Sequence, residues 1–246
     1  MARSVEGAGV ALNVVEHGSG APVLLIHGLA ADAEAMAPVA QALAREARAI
    51  AYDRRGYGSS GAPEPYRGTT VEEQAQDAAA VLATLEPGAA VVCGDDFGAL
   101  VALDLVKRHR ALVRAAVLCD PPLLMFVPEA TERLAAQHAE LEAAIREGGP
   151  EAGVAAWLGG RADGRALARA RAAHRAFFAD YAGLASWPVT RRELRSMDLP
   201  VVVLTGPKSP AHIVAAADAL AGLLPAARRA DDGDLVAAAR TLLVQS

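Results

Sequence analysis

The chain alternates between short, continuously apolar runs and longer stretches in which apolar residues recur every three or four positions. Pro22-Val23-Leu24-Leu25-Ile26-His27 is apolar at nearly every position, as a strand covered on both faces would be. Residues 9–17, Arg48 to Asp53, Ala89 to Gly94, Val113 to Cys119 and Pro200 to Thr205 read as further strands. Helical periodicity starts at Asp32, an N-cap, and runs to about Glu46. A second helix opens at the capping box Thr70-Val71-Glu72-Glu73, and others run from Phe97 to about His109, from Ala211 to about Leu224 and from Gly233 to Val244. From about Val127 to Leu194 only helical patterns occur, rich in Ala, Arg and Glu. Such alternation predicts the α/β class, with a mostly parallel sheet and helices on both faces. The helical span divides the chain: residues 1–126 and 195–246 form the core, and 127–194 form a cap over the sheet's carboxyl edge. That edge is where open α/β sheets place their ligands.

Composition narrows the class without naming a chemistry. At 246 residues and 53% hydrophobic residues, the chain can bury a sizeable core. A net charge of −5 offers no general attraction to nucleic acid or to an anionic membrane. No run is long enough to span a bilayer, and Met1-Ala2-Arg3-Ser4 leads into no apolar signal segment. Cys93 and Cys119 both end predicted strands and read as buried free thiols in a reducing cytoplasm. No ligand cluster or phosphate-binding loop appears, so neither a metal nor an organic cofactor is implied. The expected partner is a small-molecule substrate, with a homodimer left open.

Chemistry concentrates in Val91-Val92-Cys93-Gly94-Asp95-Asp96-Phe97-Gly98-Ala99-Leu100, an apolar strand that runs through Gly-x-Asp-x-Gly directly into a helix. That is the geometry of a nucleophile elbow, which holds one side chain on a tight strand-to-helix turn. Gly94 and Gly98 suit the close backbone approach such a turn requires. The residue at its centre is Asp96, a carboxylate where a hydroxyl is commoner.

Together with His27-Gly28 after an apolar strand, the loop Asp53-Arg54-Arg55-Gly56-Tyr57-Gly58-Ser59-Ser60 and the helical insert, this elbow makes nearly the whole chain resemble the α/β-hydrolase-fold family. The resemblance implies an oxyanion hole made by the backbone N–H groups of Leu29 and Phe97, beside His27 and Gly28. An elbow Asp points to the epoxide hydrolase and haloalkane dehalogenase branches. There a carboxylate attacks an sp³ carbon and a His-activated water then cleaves the alkyl ester.

The chain departs from that pattern at the base. The family places its His after the last strand, in a Gly-His pair, and the corresponding pair here is Gly233-Asp234. No His follows His212. The acid position after strand seven is taken by Ser209, whereas Asp120 ends strand six, the other acid position of the family. His212 is the one substitute imidazole the order of the chain allows, and Asp234 is the other candidate. If Asp234 faces Asp96, two close carboxyls share a proton and can work as acid and base together. Otherwise Asp234 is a helix N-cap on the surface. Asp95 reads as a side-chain contact of the elbow rather than a second catalyst. Trp157, Phe178, Tyr181 and Trp187 would put aromatic surface from the cap over an apolar ligand. These residues imply an enzyme acting on a small apolar or polycyclic molecule, by epoxide-hydrolase-like opening or by a non-hydrolytic cyclisation. The alternative is a degenerate relative that binds a ligand as a receptor or carrier.

Overall fold

The structure, a computed structural model, describes residues 2–85, 88–184 and 187–244; residues 185 and 186 of the predicted helical span lie outside these. The strands β1 (Ala2–Glu6), β2 (Ala11–His17), β3 (Pro22–Ile26), β4 (Arg48–Tyr52), β5 (Ala90–Asp95), β6 (Val113–Cys119), β7 (Val201–Leu204) and β8 (Ala227–Ala230) form one sheet in the order β1-β2-β4-β3-β5-β6-β7-β8. β1 and β2 pair antiparallel, as do β2 and β4, and every other neighbouring pair is parallel.

Alternation along the central strands explains why both faces must be covered. Leu24, Ile26, Ile50 and Val92 point into one apolar layer; Val23, Leu25, Ala49, Ala51, Val91 and Cys93 point into the other. The second layer is closed by α1 (Ala37–Leu43) and α9 (Leu235–Leu243), the first by α2 (Val71–Leu85) and α3 (Phe97–Arg108) among others. Between β6 and β7 lie α4 (Ala130–Leu158), α5 (Gly164–Ala172), α6 (His174–Leu184) and α7 (Arg191–Arg195); α8 (Ala211–Ala221) follows β7.

Several local expectations are altered. Asp32 caps a 3₁₀ turn over Ala33–Met36, accepting the Ala35 N–H at 3.3 Å, and the α-helix proper begins only at Ala37 with Pro38 in its first turn. Thr70 caps its helix by accepting the Glu73 N–H at 3.0 Å. The Glu73 carboxylate instead takes the Thr69 hydroxyl at 2.8 Å and pairs with Arg55, so it is drawn away from the return bond of a capping box. α4 bends at Gly149 (φ 77°, ψ −175°), just before Pro150, where a helical N–H is absent. β1 and β8 were not expected. Their sequences, Ala-Arg-Ser-Val-Glu and Ala-Arg-Arg-Ala, carry too few apolar residues to signal a strand, because each needs only one covered face at a sheet edge.

Candidate active site

Asp96 sits between β5 and α3 at φ 50° and ψ −119°, a conformation that L residues rarely adopt and that the surroundings must impose. A Cβ at Gly94 would run into the Gly98 backbone, and one at Gly98 into the Ile26 carbonyl, so both positions need glycine for close approach. The Asp96 N–H donates to the Cys119 carbonyl at 2.9 Å, which ties the turn to β6.

The donors expected to form an oxyanion hole are turned on Asp96 itself. The Leu29 N–H donates to Asp96 Oδ2 at 3.1 Å, and the Phe97 N–H also bonds its carboxyl. Gly28 makes room for this: a Cβ there would lie 2.8 Å from the Asp96 Cβ. The two N–H groups therefore favour negative charge on Asp96 rather than waiting empty for a substrate oxygen.

A buried network holds this turn in place. Arg54 donates from Nε to the His27 carbonyl at 3.0 Å and from Nη2 to the Gly28 carbonyl at 2.9 Å. Its Nη1 pairs with Asp180 Oδ2 of α6 at 2.7 Å, and both side chains are fully buried. Asp180 further accepts the Tyr57 hydroxyl at 2.8 Å and the Gln74 amide at 2.8 Å. The guanidinium also lies 4.8 Å from the Phe97 ring centroid and 4.9 Å from that of Tyr57. His27 was expected to touch substrate, but both its ring nitrogens are engaged. Nδ1 bonds the Gly28 carbonyl at 2.9 Å and Nε2 accepts the Arg54 N–H at 3.0 Å. Burial, then the Arg54 charge, pushes its pKa well below the usual imidazole value, so it is a neutral strut of the turn.

Above the elbow opens a cavity of about 950 Å³, lined by core and insert together. Asp95, Asp96, Asp120, Gly28 and Leu29 border it from the sheet side; Trp157, Tyr181, Trp187 and Arg161 border it from the insert and its neighbouring segment, and His212 from α8. Trp187 also donates its indole N–H to Asp104 at 2.8 Å, and Tyr181 stacks on Phe177 with centroids 5.9 Å apart. Phe178 does not line the cavity; its ring packs edge-on against Phe177, its neighbour on α6, with centroids 5.0 Å apart.

The carboxyls are electrostatically uneven. Burial, and after it the charges of Asp96 and Asp120, raise the Asp95 pKa to about 7, against the opposing effect of a Cys119 hydrogen bond. Burial raises Asp96 to about 6, opposed first by the Leu29 and Phe97 N–H groups and then by Arg161 and Arg54. Two such neighbours titrate as a pair and retain a proton near neutral pH. Asp120, at φ 45°, accepts the Ser209 hydroxyl on Oδ1 at 2.5 Å, while Ser209 Oγ accepts the Gly206 N–H at 2.8 Å. His212 is partly buried, and burial, then the Arg133 charge, lowers its pKa.

This arrangement makes stability depend on pH with a definite sign. Below about pH 4 Asp95 is protonated whether the chain is folded or not. As pH rises, the unfolded chain releases its proton first, so the native state loses stability until about pH 7, where the folded carboxyl ionises too and the loss levels off. Asp95→Asn is expected to flatten that slope and to stabilise the protein above neutrality by on the order of 4 kcal/mol. Urea titrations between those pH values check it; an unchanged slope would place the titration elsewhere.

Asp234 does not join this group. It is exposed, does not line the cavity, and caps α9 by accepting the Ala237 N–H at 2.9 Å. The chain between β8 and α9 is short, and Gly233 (φ 71°) is held by its N–H to the Thr205 carbonyl at 3.0 Å, which aims residue 234 along the helix rather than into the cavity. The second carboxyl beside Asp96 is instead Asp95, its own neighbour. Arg54, Asp180 and Arg161 were not singled out from the sequence. Arg54 lies in the quoted loop Asp53 to Ser60 but was given no role of its own, and Asp180 carried a signal as a charge inside the apolar run Phe177-Phe178-Ala179-Asp180-Tyr181.

The fold and the elbow belong to one family. Residues 21–233 match the α/β hydrolase fold family, and the chain is a member of it. It is 32% identical over 162 residues to 2-(acetamidomethylene)succinate hydrolase of Mesorhizobium japonicum, covering 65% of this chain and 56% of that one. It is 30% identical over 122 residues to a haloalkane dehalogenase of Agrobacterium fabrum, covering 50% and 40%. The chain spans about half the length of the curated relatives it matches. Among solved structures, an α/β hydrolase from Sphaerobacter thermophilus superimposes with a TM-score of 0.74 at 25% identity, covering 98% of this chain and 99% of that one. Among the described residues no helix is long and apolar enough to cross a membrane.

Proposed function

We propose that the chain is a carboxyl-based enzyme that opens or rearranges a small, largely apolar, oxygen-bearing molecule, with Asp96 as the reacting group and residues 127–194 as a cap over it. The observation that carries this reading is the seat of Asp96: its carboxyl rests on two backbone N–H groups and borders the cavity beside Asp95, a carboxyl raised toward neutrality. In the step we infer, Asp95 gives its proton to the substrate oxygen as a C–O bond breaks. The Asp96 carboxylate takes a proton from the substrate group that closes on the freed carbon. The pair ends with the proton on Asp96 and the charge on Asp95, and transfer between them resets the site.

A rearrangement of this kind fits the residues better than the two-step hydrolysis of the Asp-elbow branches. An ester on Asp96 needs an activated water for its release, and no His follows His212 in the chain. His212, which lines the same cavity, is the imaginable base for a hydrolytic variant of the reaction. The hydrolase and dehalogenase names of the relatives support chemistry at this site without naming the substrate here. A second reading, ligand binding without turnover, draws on Asp120, whose Oδ1 is tied to Ser209 rather than to a base.

Incubating the protein with a panel of epoxides, hydroxy-epoxides, alkyl halides and esters, while following product and intact mass, separates these readings. Turnover with no adduct supports acid–base chemistry. A stable adduct on Asp96 supports nucleophilic attack in its place, and tight binding with no product from any member supports the carrier.

A further inference from the structure

We infer that the substrate is an otherwise apolar molecule bearing a carboxylate, and that Arg161 receives that carboxylate while the reacting carbon lies at Asp96. The inference rests on the reading of Asp96 as the reacting group and names the substrate class of that site. Arg161 lines the same cavity as Asp96. Its guanidinium is held in one plane by three contacts. Nε donates to the Leu158 carbonyl at 2.9 Å, Nη2 to the Trp157 carbonyl at 2.6 Å, and Cζ lies 4.6 Å from the Trp157 ring centroid. Nη1 has no protein partner among the described residues, and no carboxylate there lies within ion-pair distance of Arg161.

The other cationic groups on the lining are differently placed. Arg133 faces Glu140 at 3.6 Å, and His212 is pushed toward its neutral form by burial and by Arg133. Arg161 is thus an exposed cation at the cavity, its guanidinium held at Nε and Nη2 and its Nη1 without a protein partner among the described residues. A planar guanidinium already fixed by backbone and ring loses little freedom when it takes an oxyanion. Its charge also reaches the elbow, where it opposes the burial that raises Asp96.

The remaining lining defines the rest of the molecule. Leu100, Leu123, Leu141, Leu184 and Trp187 offer an apolar wall, whereas the charge shared at Asp96 and its neighbours repels an anion from the sheet side. An acid is therefore oriented one way only, with its head on Arg161 and its body over the elbow.

Calorimetric titration of the full chain at about pH 8 with 4-phenylbutyrate and with its neutral amide tests this, since the two probes differ in charge and little in shape. The acid is expected to bind about tenfold tighter than the amide. Arg161→Ala should remove that preference and leave the amide nearly unchanged, while Arg161→Lys should restore part of it. Equal binding of acid and amide, no binding of the acid at millimolar concentration, or equal loss of both probes in Arg161→Ala would overturn the assignment; the last would mean that Arg161 only packs on Trp157. A parallel assay with an epoxide-bearing acid and its methyl ester keeps the two proposals apart. Acid preference in binding with no turnover of either leaves the anion site standing and removes the enzyme, and equal turnover of both does the reverse.

Discussion

Asp96→Asn is expected to lower kcat/KM by about 10³-fold or more on any substrate the panel identifies, and to make the protein more stable at the same time. The amide can still accept the Leu29 and Phe97 N–H groups, so the turn keeps its shape. What is lost is the charge that burial resists, and with it the group that takes a proton or attacks a carbon. Loss of activity with a gain in stability is what a strained, partly desolvated site predicts, and loss of both would indicate a structural role instead. Rate assays and urea unfolding of the same preparation read the two halves together. Full activity in Asp96→Asn would remove Asp96 from the chemistry. The carrier reading predicts ligand binding that the substitution barely changes.

Asp180→Ala should lower the unfolding free energy by about 3–5 kcal/mol, because it leaves the Arg54 charge buried without its partner. For a chain of this size that corresponds to a fall in Tm of roughly 6–20 °C. The Tyr57 hydroxyl and the Gln74 amide lose their acceptor as well. Replacing the pair together, Arg54→Met with Asp180→Leu, is expected to recover much of the loss, since two apolar groups leave no stranded charge. The double variant should nevertheless stay slow, because the His27 and Gly28 carbonyls lose the grip that aims the Leu29 N–H at Asp96. Thermal denaturation and kcat measured side by side distinguish the two effects; a single variant within 1 kcal/mol of the parent, about fivefold in the folding equilibrium, would contradict the account.

Legibility followed the range of the interactions. The central strands could be read because Val23 to Ile26 and Ala90 to Cys93 are buried on both faces, so their own residues announce the environment. The elbow could be read because its requirements are local: Gly94 and Gly98 flank Asp96 within one turn. Asp96, Asp120 and His212 were expected near one site and do line one cavity. β8 escaped because Arg228 and Arg229 look like a surface loop until β7 offers an open edge and Asp218 a partner for Arg229. Arg54 and Asp180 escaped for a stronger reason: they stand 126 residues apart, and nothing in either neighbourhood names the other. Of the two places the sequence left open for Asp234, the structure shows the surface N-cap; spacing along the chain fixes its rank order after the last strand, not the direction its backbone gives the side chain. Asp95, read from the sequence as a contact of the elbow, also lines the cavity, and it needs no long-range partner to do so.

The brief connection between β8 and α9 also sets terms for anyone wishing to retrofit a two-step hydrolase into this scaffold. A histidine written in at position 234 would inherit a helix cap facing water, because Gly233 is pinned to the Thr205 carbonyl and turns the chain away from Asp96. Asp120, its intended orienting partner, would still be holding the Ser209 hydroxyl. Such a change is therefore a matter of loop length before it is one of side chains: residues have to be inserted after Ala230, and Ser209 released, before an imidazole has anywhere to stand.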